Sequence, residues 1–130
     1  MKKIWLIVIA GSLAVLSFDV LGSLASRQFG FAYESLISGS MVLYAAVGFA
    51  ARRTTSIPMA ILATVMVGMV DATAGWALSW WIGPGRPTDG TFTMVNATAG
   101  AAFVAVLSAT CGAAGALLRT IIKGPSRADA

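Results

Sequence analysis

Histidine is absent from the chain, cysteine occurs once, and charged residues make up only 11% of the 130 residues. Without histidine, neither an imidazole-dependent catalytic triad nor a Cys/His zinc site can form, and one cysteine cannot make an internal disulfide. A soluble domain carries about a quarter charged residues, so this is not the composition of an ordinary water-soluble protein. With 58% hydrophobic residues and 14 glycines, we expect a small membrane protein with no cofactor, no metal and no enzymatic activity.

Four apolar runs are long enough to cross a membrane as helices, which takes about 20 residues each. They extend over residues 4–25, 33–51, 57–82 and 93–122. Short polar or breaker-rich stretches separate them, at 26–31, 52–56 and 83–90. Short links between long helices favour antiparallel neighbours. The sequence therefore predicts an all-α, integral membrane four-helix bundle that forms a single transmembrane domain over residues 1–130.

The basic residues indicate the orientation of this bundle. Seven of the nine fall at one set of run ends: Lys2, Lys3, Arg52, Arg53, Arg119, Lys123 and Arg127. Only Arg27 and Arg86 fall at the other set, so the positive-inside rule predicts an N-in/C-in topology. The compact chain and its Lys-Lys start indicate a bacterial cytoplasmic (inner) membrane. Because the basic residues do not alternate with aromatic residues in a patch, we expect no nucleic-acid partner.

The first run has a second interpretation. Lys2 and Lys3, followed by an apolar stretch, resemble the start of a signal peptide, and Leu24-Ala25-Ser26 is an acceptable cleavage context. Cleavage there would leave three spans and a mature N-terminus outside. Asp19 interrupts the run, and the apolar character continues beyond the usual length of a signal peptide. We therefore expect the run to be retained as the first helix.

Two pairs of segments raise the hypothesis of an internal repeat. Residues 44–52 align with residues 111–119, and both segments place a glycine four residues before an arginine. Asp19 and Asp71 lie at similar depths in the first and third runs, since each helical residue rises about 1.5 Å. A two-hairpin pseudo-repeat about an axis along the membrane normal would produce this pattern. Chance similarity in a chain rich in alanine and glycine is the alternative.

Asp71 is the most informative position of the third run. A carboxylate that faces lipid costs about 2.5 to 3.5 kcal/mol, so we expect Asp71 to face the interior of the bundle. Asp19 repeats this situation in the first run. If the two acids face each other, burial and mutual repulsion keep a proton on one of them near neutral pH, which makes them a candidate intramembrane proton or cation site. Small or polar residues share the helical face of Asp71 at steps of three or four residues: Thr64, Gly68, Gly75 and Ser79.

A structural role explains the same two acids. A protonated aspartic acid can donate a hydrogen bond to a neighbouring helix, and such bonds contribute about 0.6 to 2 kcal/mol. The sequence leaves the functional and the structural interpretation of Asp19 and Asp71 open. Hydroxyl groups that would serve as partners occur in the third and fourth runs, at Thr64, Thr73, Ser108 and Thr110.

Aromatic and basic residues near the run ends form two further candidate sets. Trp76, Trp80 and Trp81 follow the acid of the third run toward the outer side, where aromatic rings at an outer mouth would bind an organic cation. An interfacial aromatic belt explains the same three residues and is the expected explanation. Arg52 and Arg119 each end a stripe of small residues, and we expect both to contact lipid headgroups.

The predicted function is that of a small, non-enzymatic, multi-pass membrane protein that acts through helix packing as a structural or accessory component. The alternative is a small proton- or cation-coupled transporter or channel that uses Asp19 and Asp71. A membrane enzyme is a weaker alternative, because the chain offers no nucleophile and base beyond Asp, Ser and Tyr side chains. Such a small bundle has little interior, so the expected partners are the lipid bilayer and either further copies of the chain or a larger membrane complex.

Overall fold

The computed structural model describes residues 2–86 and 93–123, and it confirms the four predicted helical runs. Within the described residues, four helical spans are long and apolar enough to cross a membrane: Lys2–Phe29, Tyr33–Ala51, Ile57–Ile82 and Met94–Lys123. Parts of two predictions lie outside the described residues. These are the second half of the 83–90 linker and the basic residue Arg127.

Two of the spans are not uniform α-helices. The first span is helix α1, Lys2–Phe29. The second begins with a 3-10 turn, Tyr33–Leu36, and continues as α2, Ile37–Ala51. The third consists of α3, Ile57–Val70, a π-helical segment, Asp71–Gly75, and α4, Trp76–Ile82. The fourth span is α5, Met94–Lys123.

Glycine and proline set the ends of several helices. Gly30 follows α1 with a φ of 71°, and Gly83 follows α4 with a φ of 127°. Only glycine adopts such values at little steric cost, so the chain can leave both helices abruptly. The Gly83 N–H bonds to the Ser79 carbonyl at 2.9 Å, which satisfies one carbonyl of the last turn of α4. Pro58 lies in the first turn of α3, where its missing N–H removes no helical hydrogen bond.

The α1 and α2 helices pack in an antiparallel hairpin. A β-carbon at Gly22 would meet the Leu36 side chain, whereas one at Gly11 would lie 2.8 Å from Val47 Cγ2. The contact with the higher residue number in α1 has the lower residue number in the second span, so the two helices run in opposite directions. Gly11 also faces Val67 of α3, at 3.1 Å from its Cγ2, so one glycine face of α1 is shared by two neighbouring helices.

The α5 helix packs closely against α3 through small residues. A β-carbon at Gly68 would collide with Ser108, and one at Gly112 would lie 2.6 Å from Thr64 Oγ1. The order of these contacts makes α3 and α5 antiparallel. Small side chains at such contacts let the two helix backbones approach closely and pack.

The closest helix contact joins α2 and α5. A β-carbon at Gly48 would collide with the Gly112 carbonyl oxygen, and one at Gly115 would collide with the Ala45 carbonyl oxygen. Further along both helices, the Arg52 side chain reaches Thr120. The glycine contacts lie at one crossing point, where the helices touch backbone to backbone. Because Arg52 and Thr120 both follow this point in the sequence and bond to each other, the two helices run parallel. The buried apolar side chains around these contacts are Val8, Val15, Tyr44, Val47, Ala51, Ala60, Ala63, Val67, Cys111 and Ala116.

The helix packing described above requires that the first span is retained in the mature protein. The α1 helix contributes the buried residues Val8, Val15 and Asp19, all of which cleavage at Ala25 would remove. We expect the intact mass of the protein purified from membranes to include these residues. A mass that corresponds to a chain beginning near Ser26 would contradict this prediction and support the signal-peptide interpretation.

Substitution of Gly48 tests the α2–α5 contact. Gly48→Ala places a β-carbon against the backbone of Gly112, and overpacking of this kind costs about 1 to 3 kcal/mol. Gly100→Ala is the control, because its β-carbon meets no atom within 4 Å. Alanine is favoured over glycine in a helix by about 0.5 to 1 kcal/mol. Thermal unfolding in detergent should therefore show a lower melting temperature for Gly48→Ala and an equal or higher one for Gly100→Ala. Equal melting temperatures would contradict the contact.

Candidate functional site

Asp71 begins the π-helical segment that interrupts the third span. A π segment inserts extra backbone into an α-helix, and such insertions are frequent at functional sites. Thr73, inside the segment, donates its hydroxyl hydrogen to the Met69 carbonyl at 2.7 Å, a type of bond that bends helices. Asp71 itself is half-buried. The small residues expected on its helical face are all buried: Thr64, Gly68, Gly75 and Ser79.

Asp19 reaches Asp71 from the neighbouring α1 helix. Asp19 is only 4% exposed, and its carboxyl group lies beside that of Asp71, since both would meet a β-carbon at Gly75. Gly75 makes room for this pair, because a β-carbon there would collide with Asp19 Oδ2 and lie 2.7 Å from Asp71 Oδ1. Carboxylates have only acceptor oxygens, so a hydrogen bond between the two groups requires a proton on one of them.

Tyr44 of α2 supplies the third polar group of the cluster. It is 1% exposed, and its hydroxyl donates a hydrogen bond to Asp71 Oδ2. A buried phenol needs such a partner, because an unpaired hydroxyl in an apolar surrounding is costly. Three helices therefore meet at one acid. Asp19 Oδ2 and Ser23 Oγ, in contrast, are buried without a hydrogen-bond partner in the described part of the chain.

A cavity of about 300 Å³ opens beside these groups. Three of its lining residues are Asp19, Glu34 and Asp71, which are all the acidic residues in segments 2–86 and 93–123. No lysine or arginine of those segments lines it. Aromatic residues Tyr33 and Trp76 and apolar side chains of α2 and α5 form most of the remaining wall. A cavity whose charged groups are all negative creates a potential that attracts a cation.

The same residues do not resemble a site for a multivalent metal. Within the described segments, no group of three or more His, Cys, Asp or Glu side chains is arranged to hold a metal ion. Glu34 is exposed at the beginning of the second span, whereas the two aspartates are held together deeper in the bundle. The arrangement can share a proton or pair with a single positive charge, because one of its carboxyl oxygens has no protein donor.

Trp76 is the one member of the predicted tryptophan set that lines the cavity. Its Nε1 donates a hydrogen bond to the Gly85 carbonyl at 3.3 Å, so the ring is held at the beginning of α4. Trp80 is 37% exposed, and Trp81, at 81% exposed, lines a separate surface depression with Arg86. The structure thus brings Trp76 next to the acids and leaves the other two at the surface. A role of all three at an outer mouth stays a prediction.

Arg52 and Arg119 lie near the C-terminal ends of α2 and α5 and do not line the cavity. Arg52 is 3% exposed, and its Nε donates to Thr120 Oγ1 at 3.0 Å while Nη1 donates to the Thr55 carbonyl at 2.8 Å. Nε and Nη1 of Arg119 are buried without an acceptor among the described residues. Protein contacts therefore hold Arg52, and the predicted headgroup contacts of both arginines stay a prediction.

The hydroxyl groups that the sequence offered as partners of the acids bond elsewhere. Each donates to a carbonyl of its own helix, as is usual for Ser and Thr in apolar helices: Thr64 to Ala60, Thr73 to Met69, Ser108 to Ala105 and Thr110 to Val106. The partner that sequence reasoning missed is Tyr44. The sequence feature that indicates such a partner is a phenol in the middle of an apolar run, because a buried phenol needs an acceptor.

A double-mutant cycle tests the Tyr44–Asp71 hydrogen bond. Tyr44→Phe removes the donor and Asp71→Leu removes the acceptor, and we expect the free energies of unfolding to be non-additive by about 0.6 to 2 kcal/mol. The measurement is a reversible denaturation titration in detergent micelles. Tyr44→Phe combined with Glu34→Gln is the control, since Glu34 lines the same cavity without that bond. Additive energies in the first cycle would exclude a stabilising bond.

No family model, curated protein or solved structure matches this chain. The candidate site is therefore defined by its own residues. Asp19, Asp71 and Tyr44 come from three helices and meet at the wall of one cavity that is lined by acids and aromatic rings.

Proposed function

We propose that the chain is a small, non-enzymatic membrane protein that binds and moves protons or small monovalent cations at the Asp19–Asp71 pair. The observation that carries the proposal is the position of the acids. All three acidic residues of segments 2–86 and 93–123 line one cavity, and none of the basic residues there does. Structural acids in a packed bundle would be expected to find separate donors, whereas these are gathered at one opening.

The proposal places the four spans across a bilayer. Their most apolar windows have mean hydropathies of 2.3, 1.4, 1.7 and 2.0, values typical of membrane helices. The hairpin packing supports a common side for the basic residues, since Lys2 and Lys3 border the same depression as Thr54 and Thr55, and Arg52 bonds to Thr120. We propose that this side is cytoplasmic, with the topology N-in/C-in, and that the membrane is the bacterial cytoplasmic one.

Proton chemistry at the pair follows from its hydrogen bonds. With one proton shared, each carboxyl group has a partner, and Tyr44 donates a further bond to Asp71. When a cation occupies Asp19 Oδ2, the shared proton is no longer needed, because the positive charge offsets the repulsion of the two carboxylates. Release of one proton can then accompany binding of one cation, which is the elementary step of an exchanger.

Contacts between the helices support an internal pseudo-repeat, which we include in the proposal. In the alignment of residues 44–52 with 111–119, Gly48 corresponds to Gly115 and Ala45 corresponds to Gly112. Gly48 contacts Gly112, and Gly115 contacts Ala45, so each contact is the counterpart of the other. Reciprocal contacts of this kind are what a two-fold axis produces. An axis between α2 and α5 would relate two hairpins and their acids.

The π segment accounts for a one-residue difference between the two acid-bearing spans of this repeat. Glycine and serine follow Asp19 after three and seven residues, as Gly22 and Ser26, and all three are buried. After Asp71 the same residue types follow one position later, as Gly75 and Ser79, which are also buried. The inserted residue falls within the π segment, Asp71–Gly75. One extra residue is thus accommodated there while the buried face is kept.

The structural or accessory role remains the competing function, because glycine contacts alone explain a stable bundle. The two functions differ in what a neutral side chain does at the acid pair. Asparagine is close to aspartic acid in shape and still forms hydrogen bonds, but it neither carries charge nor exchanges a proton near neutral pH. A packing role therefore tolerates Asp→Asn, whereas a proton or cation site does not.

Proton flux into liposomes tests the proposed function. Vesicles that contain the protein and an internal pH dye are given an inward proton gradient, with a potassium ionophore to clamp the membrane potential. We expect Asp19→Asn and Asp71→Asn each to lower the protein-dependent flux to the level of empty vesicles, with melting temperatures close to wild type. In a second set of vesicles with an acidic interior, addition of external monovalent cations should accelerate proton efflux through wild type only.

Glu34→Gln is the matched control for this experiment. It removes one acidic group from the same cavity but leaves the aspartate pair intact, so its flux should stay close to wild type. Wild-type flux in both Asp→Asn variants would overturn the proposed function and favour a structural role. A structural role would also be favoured if every variant lost flux together with a large fall in melting temperature.

A further inference from the structure

The α2 and α5 helices are in contact at one end and border the acid cavity at the other. Their backbone contacts involve Gly48 and Gly115. Toward the N-terminal ends of both helices, Ile37 and Gly100 line the cavity instead. A β-carbon at Gly100 would meet no atom within 4 Å, so α5 has no close neighbour at this position. The two helices thus form the sides of a cleft that is closed at the glycine contact.

This cleft opens on the outer surface of the bundle. Ile37 is 42% exposed and Phe103 is 55% exposed, and both line the cavity. In a protein whose spans cross a bilayer, the exposed apolar surface formed by Ile37 and Phe103 faces the acyl chains. A molecule dissolved in the bilayer can therefore approach Asp19 and Asp71 from the side, between α2 and α5.

The walls of the cleft have two kinds of chemistry. The inner wall carries the acid pair, with Tyr33 and Trp76 close to it. Most of the side chains on the outer walls are apolar, with Ser40 of α2 and Asn96 of α5 as polar groups among them. The apolar residues that line the cavity are Leu36, Ile37, Phe103, Val104 and Leu107. A ligand that matches both parts has a positive head and an apolar body.

We propose that the cleft binds an amphipathic organic monocation, such as a protonated alkylamine, which enters sideways from the bilayer. This inference rests on the proposed function, because the ammonium group would use the same acid pair. The ammonium group fits Asp19 Oδ2, a buried oxygen that has no donor among the described residues. The Trp76 ring adds a cation–π surface beside it. A cavity of about 300 Å³ holds the head and the first part of an alkyl chain, and the open side of the cleft accommodates the rest.

A binding measurement in lipid nanodiscs tests this inference. The probe is a dansyl fluorophore on an alkyl chain that ends in a primary amine, and its binding is followed by energy transfer from tryptophan. The matched control is the same molecule with a methyl group in place of the amine, so that it has about the same length and no charge. We expect saturable transfer for the amine probe, with an affinity at least about tenfold higher than for the uncharged probe. Excess decylamine should displace the probe, and decanol should not.

Variants assign the binding to the acids and to the cleft. Asp19→Asn and Asp71→Asn should each weaken amine binding about tenfold or more, whereas Glu34→Gln should retain it. Gly100→Trp places a large side chain on the open side of the cleft, where a β-carbon meets no atom within 4 Å, and should abolish binding. Ala102→Trp, an exposed position nearby that does not line the cavity, is its control and should bind as wild type.

The outcomes separate this inference from the proposed function. If Gly100→Trp loses amine binding and keeps proton flux, both hold. If wild type moves protons through the aspartates but binds the two probes equally, the amine site is overturned and the proposed function stands, with the cleft filled by apolar chains. If neither flux nor amine binding depends on Asp19 and Asp71, both are overturned.

Discussion

A carboxyl group among apolar helices must find its partners within the protein, and the rest of this structure is arranged around two such groups. Asp19 lies beside Asp71, Tyr44 bonds to Asp71, and each of the three comes from a different span. Two adjacent carboxyl groups bond to each other only when one of them holds a proton, so the protonation of the pair and the packing of the helices are linked. A change in one changes the other.

Glycine determines how closely the helices can approach this pair. Gly75 leaves space for the carboxyl groups, and Gly48 and Gly115 let α2 and α5 touch through their backbones. The contact lies at one end of those helices only. The close end fixes their relative position, while the open end leaves a cavity beside the acids. Stability and access are thus provided by different parts of the same two helices.

The sequence predicted most of the fold and part of the site. Apolar runs of membrane length identified all four helical spans, because hydropathy depends on composition that can be read locally. Similar depth in the first and third runs allowed Asp19 and Asp71 to face each other but did not require it. Tyr44 was missed because its partner lies 27 residues away on another helix. The buried state of Arg52 was missed for the same reason, since its partner Thr120 is on the last span. Cross-helix pairing depends on rotation of each helix about its axis, which composition does not specify.

Because of the π segment, the number of residues in the third span determines which side of the helix Asp71 faces. An α-helix turns by about 100° per residue, so one residue more or less between Asp71 and Ser79 would rotate the acid from the inside of the bundle toward its flank. The number of residues there, and not only their identity, keeps both Asp71 and Ser79 on the buried side. The direction in which the Asp71 carboxyl group points is therefore a matter of helical register in the third span.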